Sequence, residues 1–373
     1  MLQPPDAPQV EGRDAIRAFY APVRLSPPPA DSAPPRSART IVISTSGDLA
    51  TEWGPGAIVV NLPDGPLLVR FKFLIVWERR GGVWKVRFNS WNTNTPPRRS
   101  VRSSLTKAPS EHKNLIFATV DGKSLGLDLY LPPNVTAPVL LVWVHGGAWT
   151  TGTKANVPTA LAQSGIAVAS VDFRQSTEAR FPAQVHDIKA AIRFLRAKAG
   201  TYGYPSDRIA IAGGSSGAHL AALVGVTNGN AQLEGTIGDH LDRSSSVQAI
   251  VSYFGASNLM TILDQSTPFG LNVRRPALKR LLGALPQDAP ELATLASPVA
   301  HVDSTDPPLF LLHGDQDPQM PINQSHELEG AYAKRGLEVH FRVVHGGAHG
   351  GDDFYSPENV RLVLAFLQRT VGK

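Results

Sequence analysis

The chain contains no cysteine. That excludes a disulfide framework, a thiolate metal site and a cysteine nucleophile, so any covalent catalysis has to use another group. No apolar run approaches the roughly 18 to 20 residues of a membrane span. The opening, Met1-Leu2-Gln3-Pro4-Pro5, lacks the charged and apolar regions of a secretory leader. Charge of either sign is sparse, with 36 Lys and Arg against 31 Asp and Glu, and the resulting +5 is spread over the chain rather than gathered in one block. Neither a nucleic-acid nor a membrane partner is therefore expected. What is present, 373 residues of which 42% are hydrophobic, suffices for more than one core. The expectation is a soluble protein, cytoplasmic as the chain starts, or secreted if its natural start lies further upstream.

Prolines gather between Pro27 and Pro35 and again at Pro96-Pro97, where Arg98, Arg99, Ser100, Arg102, Ser103 and Ser104 follow. The second cluster reads as a linker over 96–111, separating a domain at 1–95 from one at 112–373. Before it, residues 67–77 alternate, with Val69, Phe71, Phe73, Ile75 and Trp77 on one face and Arg70 and Lys72 on the other, which predicts a half-buried strand. Arg79-Arg80-Gly81-Gly82-Val83 then predicts a hairpin turn into a strand carrying Trp84, Val86 and Phe88. Residues 40–44 and 50–53 look like a shorter pair, and 11–20 like a short helix. The sum is a small α+β unit whose curved antiparallel sheet needs a helix to cover it.

Through Glu11-Gly12-Arg13, Ala15-Ile16-Arg17, Phe19-Tyr20, Val76-Trp77-Glu78-Arg79, Val83-Trp84-Lys85 and Trp91-Asn92, roughly residues 8–95 resemble the SnoaL-like, nuclear-transport-factor-like cone domains. Members of that family begin with a long helix and a second short one, for which this chain starts too late, so the resemblance implies a truncated cone. Some members work through a histidine or aspartate in the cone, but the first histidine here is His112. The domain is read as accessory. Apolar residues such as Phe71 and Phe73 need a cover from the second domain or from another subunit, and a homodimer is expected on that ground.

Beyond the linker, apolar strands alternate with amphipathic helices. Strands are expected at 125–131, 139–144, 166–171, 209–212, 249–253, 309–312 and 338–343, and helices at 181–199, 216–226, 322–335 and 357–369. This order predicts a doubly wound, mostly parallel sheet of the α/β class with helices on both faces.

The sharpest motif is Gly213-Gly214-Ser215-Ser216-Gly217-Ala218, set between a predicted strand and a predicted helix. A serine on so tight a turn needs small neighbours, and Gly213 and Gly217 supply them around Ser215 as candidate nucleophile. Ser216 competes, although its register would end in Ala218 rather than glycine. Serine at its own pKa is a poor nucleophile and needs a base, which in turn needs an orienting carboxylate. Asp317 follows the strand at 309–312 within His313-Gly314-Asp315-Gln316-Asp317-Pro318, and His349 lies in His345-Gly346-Gly347-Ala348-His349-Gly350. Serine, aspartate, histidine is the α/β-hydrolase chain order. Asp315 and His345 are the competing acid and base. A metal site at His345, His349, Asp352 and Asp353 is disfavoured, because two histidines four apart share a face only on a helix and this stretch is rich in glycine.

Val144-His145-Gly146-Gly147-Ala148-Trp149 ends another apolar strand. Acyl transfer develops a negative oxygen that backbone N–H groups can stabilise, so Gly146, Gly147 and the N–H of Ser216 are the candidate oxyanion hole. His145 is read as shaping this loop by hydrogen bonding, and Trp149 as a candidate wall of the substrate pocket.

With these residues in hand, about residues 112–371 resemble the α/β-hydrolase esterases related to hormone-sensitive lipase, most closely the group that includes bifunctional feruloyl and acetylxylan esterases. His145-Gly146-Gly147-Ala148-Trp149, Val171-Asp172-Phe173-Arg174, Phe181-Pro182-Ala183-Gln184 with Asp187, the Ser215 turn, the Asp317 loop and Gly347-Ala348-His349-Gly350 carry it. The resemblance implies Ser215, Asp317 and His349 as triad, Gly146, Gly147 and Ser216 as oxyanion donors, a structural Asp187, and no metal or organic cofactor. It implies a serine esterase acting on short acyl esters, with a small-molecule or carbohydrate-linked ester as substrate. His-Gly-Gly-x-Trp also resembles the loop of kynurenine formamidases, making formamide hydrolysis the alternative. A binding or assembly protein on a hydrolase scaffold is the alternative of another class. Residues 227–300, expected to roof the pocket, are polar and irregular in their first part and name no acyl chain.

Overall fold

The structure is a computed structural model that describes residues 110–372 throughout and, before them, the backbone of strands with the side chains of Val76, Glu78 and Arg79. The chain divides into two compact units, Met1–Thr106 and Lys107–Lys373. In the first, the described strands are β1 (Leu2–Gln3), β2 (Leu25–Ser26), β3 (Thr40–Ile43), β4 (Leu49–Leu62), β5 (Gly65–Arg80) and β6 (Val83–Asn92). β3 to β6 pair antiparallel with their neighbours in sequence, and Arg80 sits opposite Val83, the register that a two-residue connection imposes. The alternating stretch at 67–77 lies inside β5. The helix expected at 11–20 and the side chains of Phe71 and Phe73 lie outside the described residues.

The second unit is built on an eight-stranded sheet. Its strands are β7 (Ser110–Val120), β8 (Lys123–Leu131), β9 (Leu140–Val144), β10 (Ala167–Val171), β11 (Ile209–Gly214), β12 (Ile250–Tyr253), β13 (Leu309–Gly314) and β14 (Val339–Val344). Their spatial order is β14-β13-β12-β11-β9-β10-β8-β7. All pairings are parallel except β7 with β8 and β8 with β10. This is the α/β-hydrolase fold. The chain leaves β9 to one side for β10 and returns across it to β11, so the order reverses between β9 and β11. A crevice opens beyond the carboxyl ends of strands at such a switch point.

The central strands read as continuous apolar runs because both faces are covered. Leu140, Val142, Val144, Ile209, Ile211, Leu309 and Leu311 enter one core with Val185, Ile188, Leu220, Leu278 and Leu328. Leu141, Trp143, Ala210, Ala212, Phe310 and Leu312 enter the other with Val363, Phe366 and Leu367. The first core is closed by helices α1 (Ala183–Ala197), α2 (Ser216–Gly225), α3 (Pro268–Leu282) and α4 (Asn323–Lys334), and the second by α5 (Pro357–Thr370). At about 1.5–3 kcal/mol per buried aliphatic side chain, these two layers hold the sheet rigid under the loops at its edge.

Two elements escape the sequence pattern. β7 begins at Ser110, within the stretch read as linker, and its alternation is broken by register shifts at His112/Leu115 and Ile116/Ala118 and by Asn114 with φ 56°. α3 carries Gly270 and an internal Pro276, residues that ordinarily argue against a helix, although Pro268 at its first position suits one. The irregular segment before β12 is tied down by buried cations: Lys189 Nζ donates to Thr227 O at 2.6 Å, and Arg193 to Glu234 Oε1 at 2.5 Å and Ile237 O at 3.0 Å.

Asp187 is fully buried at the start of α1 and receives Arg174 through its backbone N at 2.7 Å, Nε at 3.0 Å and Nη2 at 2.7 Å. The loop after β10 is thereby clamped to the helix that follows. Removing one member of such a pair strands the other charge in the interior, so Asp187→Ala should cost about 3–5 kcal/mol, read from the midpoint of denaturant unfolding at unchanged slope.

Candidate active site

Ser215 stands between β11 and α2 with φ 56° and ψ −121°, a conformation that costs a non-glycine residue on the order of 1–3 kcal/mol. Its surroundings impose it. Ser215 N donates to Tyr253 O at 2.9 Å, and His219 N donates to Ser215 O at 3.1 Å. A side chain on Gly213 would strike the backbone of Gly217, and one on Gly217 would strike the carbonyls of Val144 and His145. The turn thus needs glycine at both positions for close approach, and that approach brings the end of β9 beside the serine.

His349 joins Ser215 to Asp317. Its Nε2 lies 2.8 Å from Ser215 Oγ and its Nδ1 2.7 Å from Asp317 Oδ2. The Asp317 side chain is fully buried and saturated with donors. Gln319 N and Met320 N reach Oδ1 at 2.8 and 2.9 Å, while His313 Nε2 lies 3.4 Å from Oδ2. Burial by itself would raise the Asp317 pKa, but the contacts from His313 and His349 and the Met320 N–H outweigh it and hold the carboxyl well below the usual carboxylate range. Phe254 packs edge-on against the His349 ring at 5.0 Å between centroids.

The competing residues are accounted for. Asp315 and His345 pair with each other, Oδ2 to Nδ1 at 2.9 Å, with the His345 side chain 85% exposed. Ser216 is buried in the first turn of α2. Among the described residues no cluster of three or more His, Asp or Glu could hold a metal ion.

The glycine loop after β9 is oriented from behind. His145 Nδ1 donates to Gly146 O at 2.8 Å, and its ring stacks on Phe173 at 4.5 Å. Burial pushes the His145 pKa down, against the opposing pull of the Gly146 carbonyl and Asp172, which favours the neutral ring. With the Gly146 carbonyl held on the His145 side, the trans peptide directs the Gly147 N–H the opposite way. Gly146, Gly147 and Ser215 all line a cavity of about 430 Å³, together with Trp143, Phe254, Arg274, Gln319, His349 and Tyr355.

Trp149 corrects the sequence reading. It is fully buried, donates through Nε1 to His219 Nδ1 at 3.1 Å, and does not line this cavity. Ala148 and Trp149 both have positive φ, 54° and 59°, which turns the indole under the loop and into the core. The aromatic wall comes instead from Trp143, Phe254 and Tyr355, of which Trp143 reads in sequence as one more apolar strand residue. Arg274 was also missed. Its signal was present: in α3 it occupies the buried stripe Gly270, Arg274, Ala277, Leu278, Leu281, where a charged residue is out of place.

The family model described as BD-FAE matches residues 127–332. Among similar proteins are the "Probable carboxylic ester hydrolase LipM" of Mycobacterium tuberculosis, 31% identical over 254 residues that make up 65% of this chain and 56% of that protein. Esterase LipQ of the same organism is 30% identical over 290 residues, 74% of this chain and 67% of that one. The chain thus spans between about half and two thirds of these relatives' length. A solved structure, a truncated form of a carbohydrate esterase from gut microbiota, superposes with a TM-score of 0.64 at 31% identity, covering 72% of this chain and 99% of that one.

The depressed pKa of Asp317 has a thermodynamic consequence. A carboxyl whose folded-state pKa lies below its unfolded value contributes stability above that unfolded value and loses it as pH falls toward the folded one. The stability difference between wild type and Asp317→Asn should therefore be largest near neutral pH and shrink below about pH 4. Paired thermal unfolding curves across that range measure it; a difference that stays constant would contradict the assignment.

Proposed function

Because the chain belongs to the BD-FAE family, we propose that it is a serine carboxylic-ester hydrolase. The observation that carries this reading is the relay from Ser215 Oγ through His349 to Asp317, at 2.8 and 2.7 Å, on the wall of a cavity that the glycine loop also lines. Ser215 Oγ attacks the ester carbonyl while His349 Nε2 takes its proton, and Asp317 holds the imidazole through Nδ1–H and stabilises the imidazolium. The tetrahedral oxyanion is received by the N–H groups of Gly147, Gly146 and Ser216. His349 then gives its proton to the leaving alcohol, which leaves an acyl-serine. Water attacks that acyl-serine with His349 again as base, releasing the acid and restoring the serine.

A cavity of about 430 Å³ walled by Trp143, Phe254 and Tyr355 favours a short acyl group over a long aliphatic chain. The similarity to a carbohydrate esterase favours an alcohol part drawn from carbohydrate. Residues 1–95 are read as a SnoaL-like accessory domain on their sequence motifs alone; their strands β3 to β6 pair antiparallel.

Hydrolysis of 4-nitrophenyl acetate, butyrate and longer esters tests the reaction. Wild type should turn over the short esters, and Ser215→Ala should lower kcat by at least about 10³-fold. Turnover of N-formylkynurenine without any ester would favour an amide hydrolase instead. A chain shortened to residues 107–373 should retain most of the esterase activity; its loss in a folded truncation would assign the first unit a part in the site.

A further inference from the structure

Arg274 is 1% exposed, yet it lines the cavity that holds Ser215 and His349. Its place is built. α3 is locked to the Asp317 loop by Thr267 Oγ1, which donates to Pro318 O at 2.6 Å, and by Gly270, where a side chain would press on Gln319 O at 2.9 Å. Arg274 itself donates from Nε to Gln319 O at 3.3 Å, two residues beyond the carboxylate that orients His349.

The guanidinium is otherwise unmet. Nη1 is buried with no hydrogen-bond partner, and Arg274 forms no ion pair among the described residues. A guanidinium has five N–H donors, of which one is used here at the long end of the range. The nearby anion, Asp317, cannot serve: Oδ1 accepts Gln319 N and Met320 N, while Oδ2 faces His349 and His313. Burial lowers the Arg274 pKa to about 10, against the pull of Asp317, which leaves the group cationic at neutral pH. Asp317 attracts this cation without accepting from it, so buried guanidinium donors stay unpaired in the empty site, and a carboxylate in the cavity would meet them with two parallel N–H···O contacts.

We propose that Arg274 is the specificity-determining residue of this site and selects esters that carry a carboxylate beside the reacting carbonyl, in either the acyl or the alcohol part. The proposal rests on the serine-esterase reading and adds the charge of the substrate to it. Neutral esters react without that contact and so are the poorer substrates.

Two matched pairs separate the sources of the carboxylate. 4-Nitrophenyl hemisuccinate against its methyl ester places the charge in the acyl part, and 3-acetoxybenzoate against methyl 3-acetoxybenzoate places it in the alcohol. In at least one pair, wild type should favour the anion by about tenfold or more in kcat/KM, as a charge-assisted hydrogen bond allows. That ratio should fall to one or below in Arg274→Met and be partly kept in Arg274→Lys. A wild type that favours the neutral member of both pairs, or a preference that survives Arg274→Met, overturns the proposal. Titration of Ser215→Ala protein with succinate and with succinamide gives a readout free of turnover and of the Arg274 variants' folding. Tighter binding of succinate supports the assignment, and equal binding overturns it. Failure of every ester, charged and neutral, would instead defeat the esterase reading, with the titration still deciding whether Arg274 binds anions.

Discussion

The site depends on how closely three stretches of backbone approach one another behind Ser215. Gly213 and Gly217 touch across the turn, and Gly217 also abuts the carbonyls that end β9. No side chain fits in either gap, so the serine is driven to φ 56° and the glycine loop after β9 is brought to its side. The strain of that conformation is carried by β11, which is paired with β9 and β12 and buried along its whole length. A less completely covered sheet would relax the turn, and the serine, the loop and the cavity would lose their common origin.

Electrostatics is arranged around that fixed point with little freedom. Asp317 spends its lone pairs on two backbone N–H groups, His313 and His349, so it remains ionised although its side chain is fully buried, and it holds the His349 ring in place. His145 acts in a similar way on the opposite side, as a neutral ring whose one hydrogen bond sets the direction of a peptide. The exception is Arg274, the cation whose donors the protein leaves largely unused. Asp317 attracts its charge but accepts none of its N–H groups, so the cavity that Arg274 lines keeps a donor without an acceptor.

Much of this was legible in the residues. The apolar strands, the helices at 183–197, 216–225, 323–334 and 357–370, and the order serine, aspartate, histidine could be read because each rests on local chemistry: period, turn glycines and placement after a strand. β7 and α3 could not, since bulges break the alternation of one and proline and glycine interrupt the other, and in both cases packing overrides local preference. The two-residue connection accounts for the pairing of β5 with β6 only as far as Trp77 and Val86, because a register shift between Val76 and Trp77 displaces the rest.

The sequence by itself determined which residue types stand at the ends of the strands, and with them the nucleophile turn, the glycine loop and the candidate acid and base. Only the tertiary structure decided between neighbours. Asp317 rather than Asp315 faces His349, because His345 draws Asp315 to the surface. Trp149 and Trp143 are both buried, in the two different cores, and of the two it is Trp143 at the end of β9 that also lines the cavity. Arg274 enters the site from a helix more than fifty residues after the serine in the chain, a distance that no local spacing can bridge and that packing against Gln319 closes.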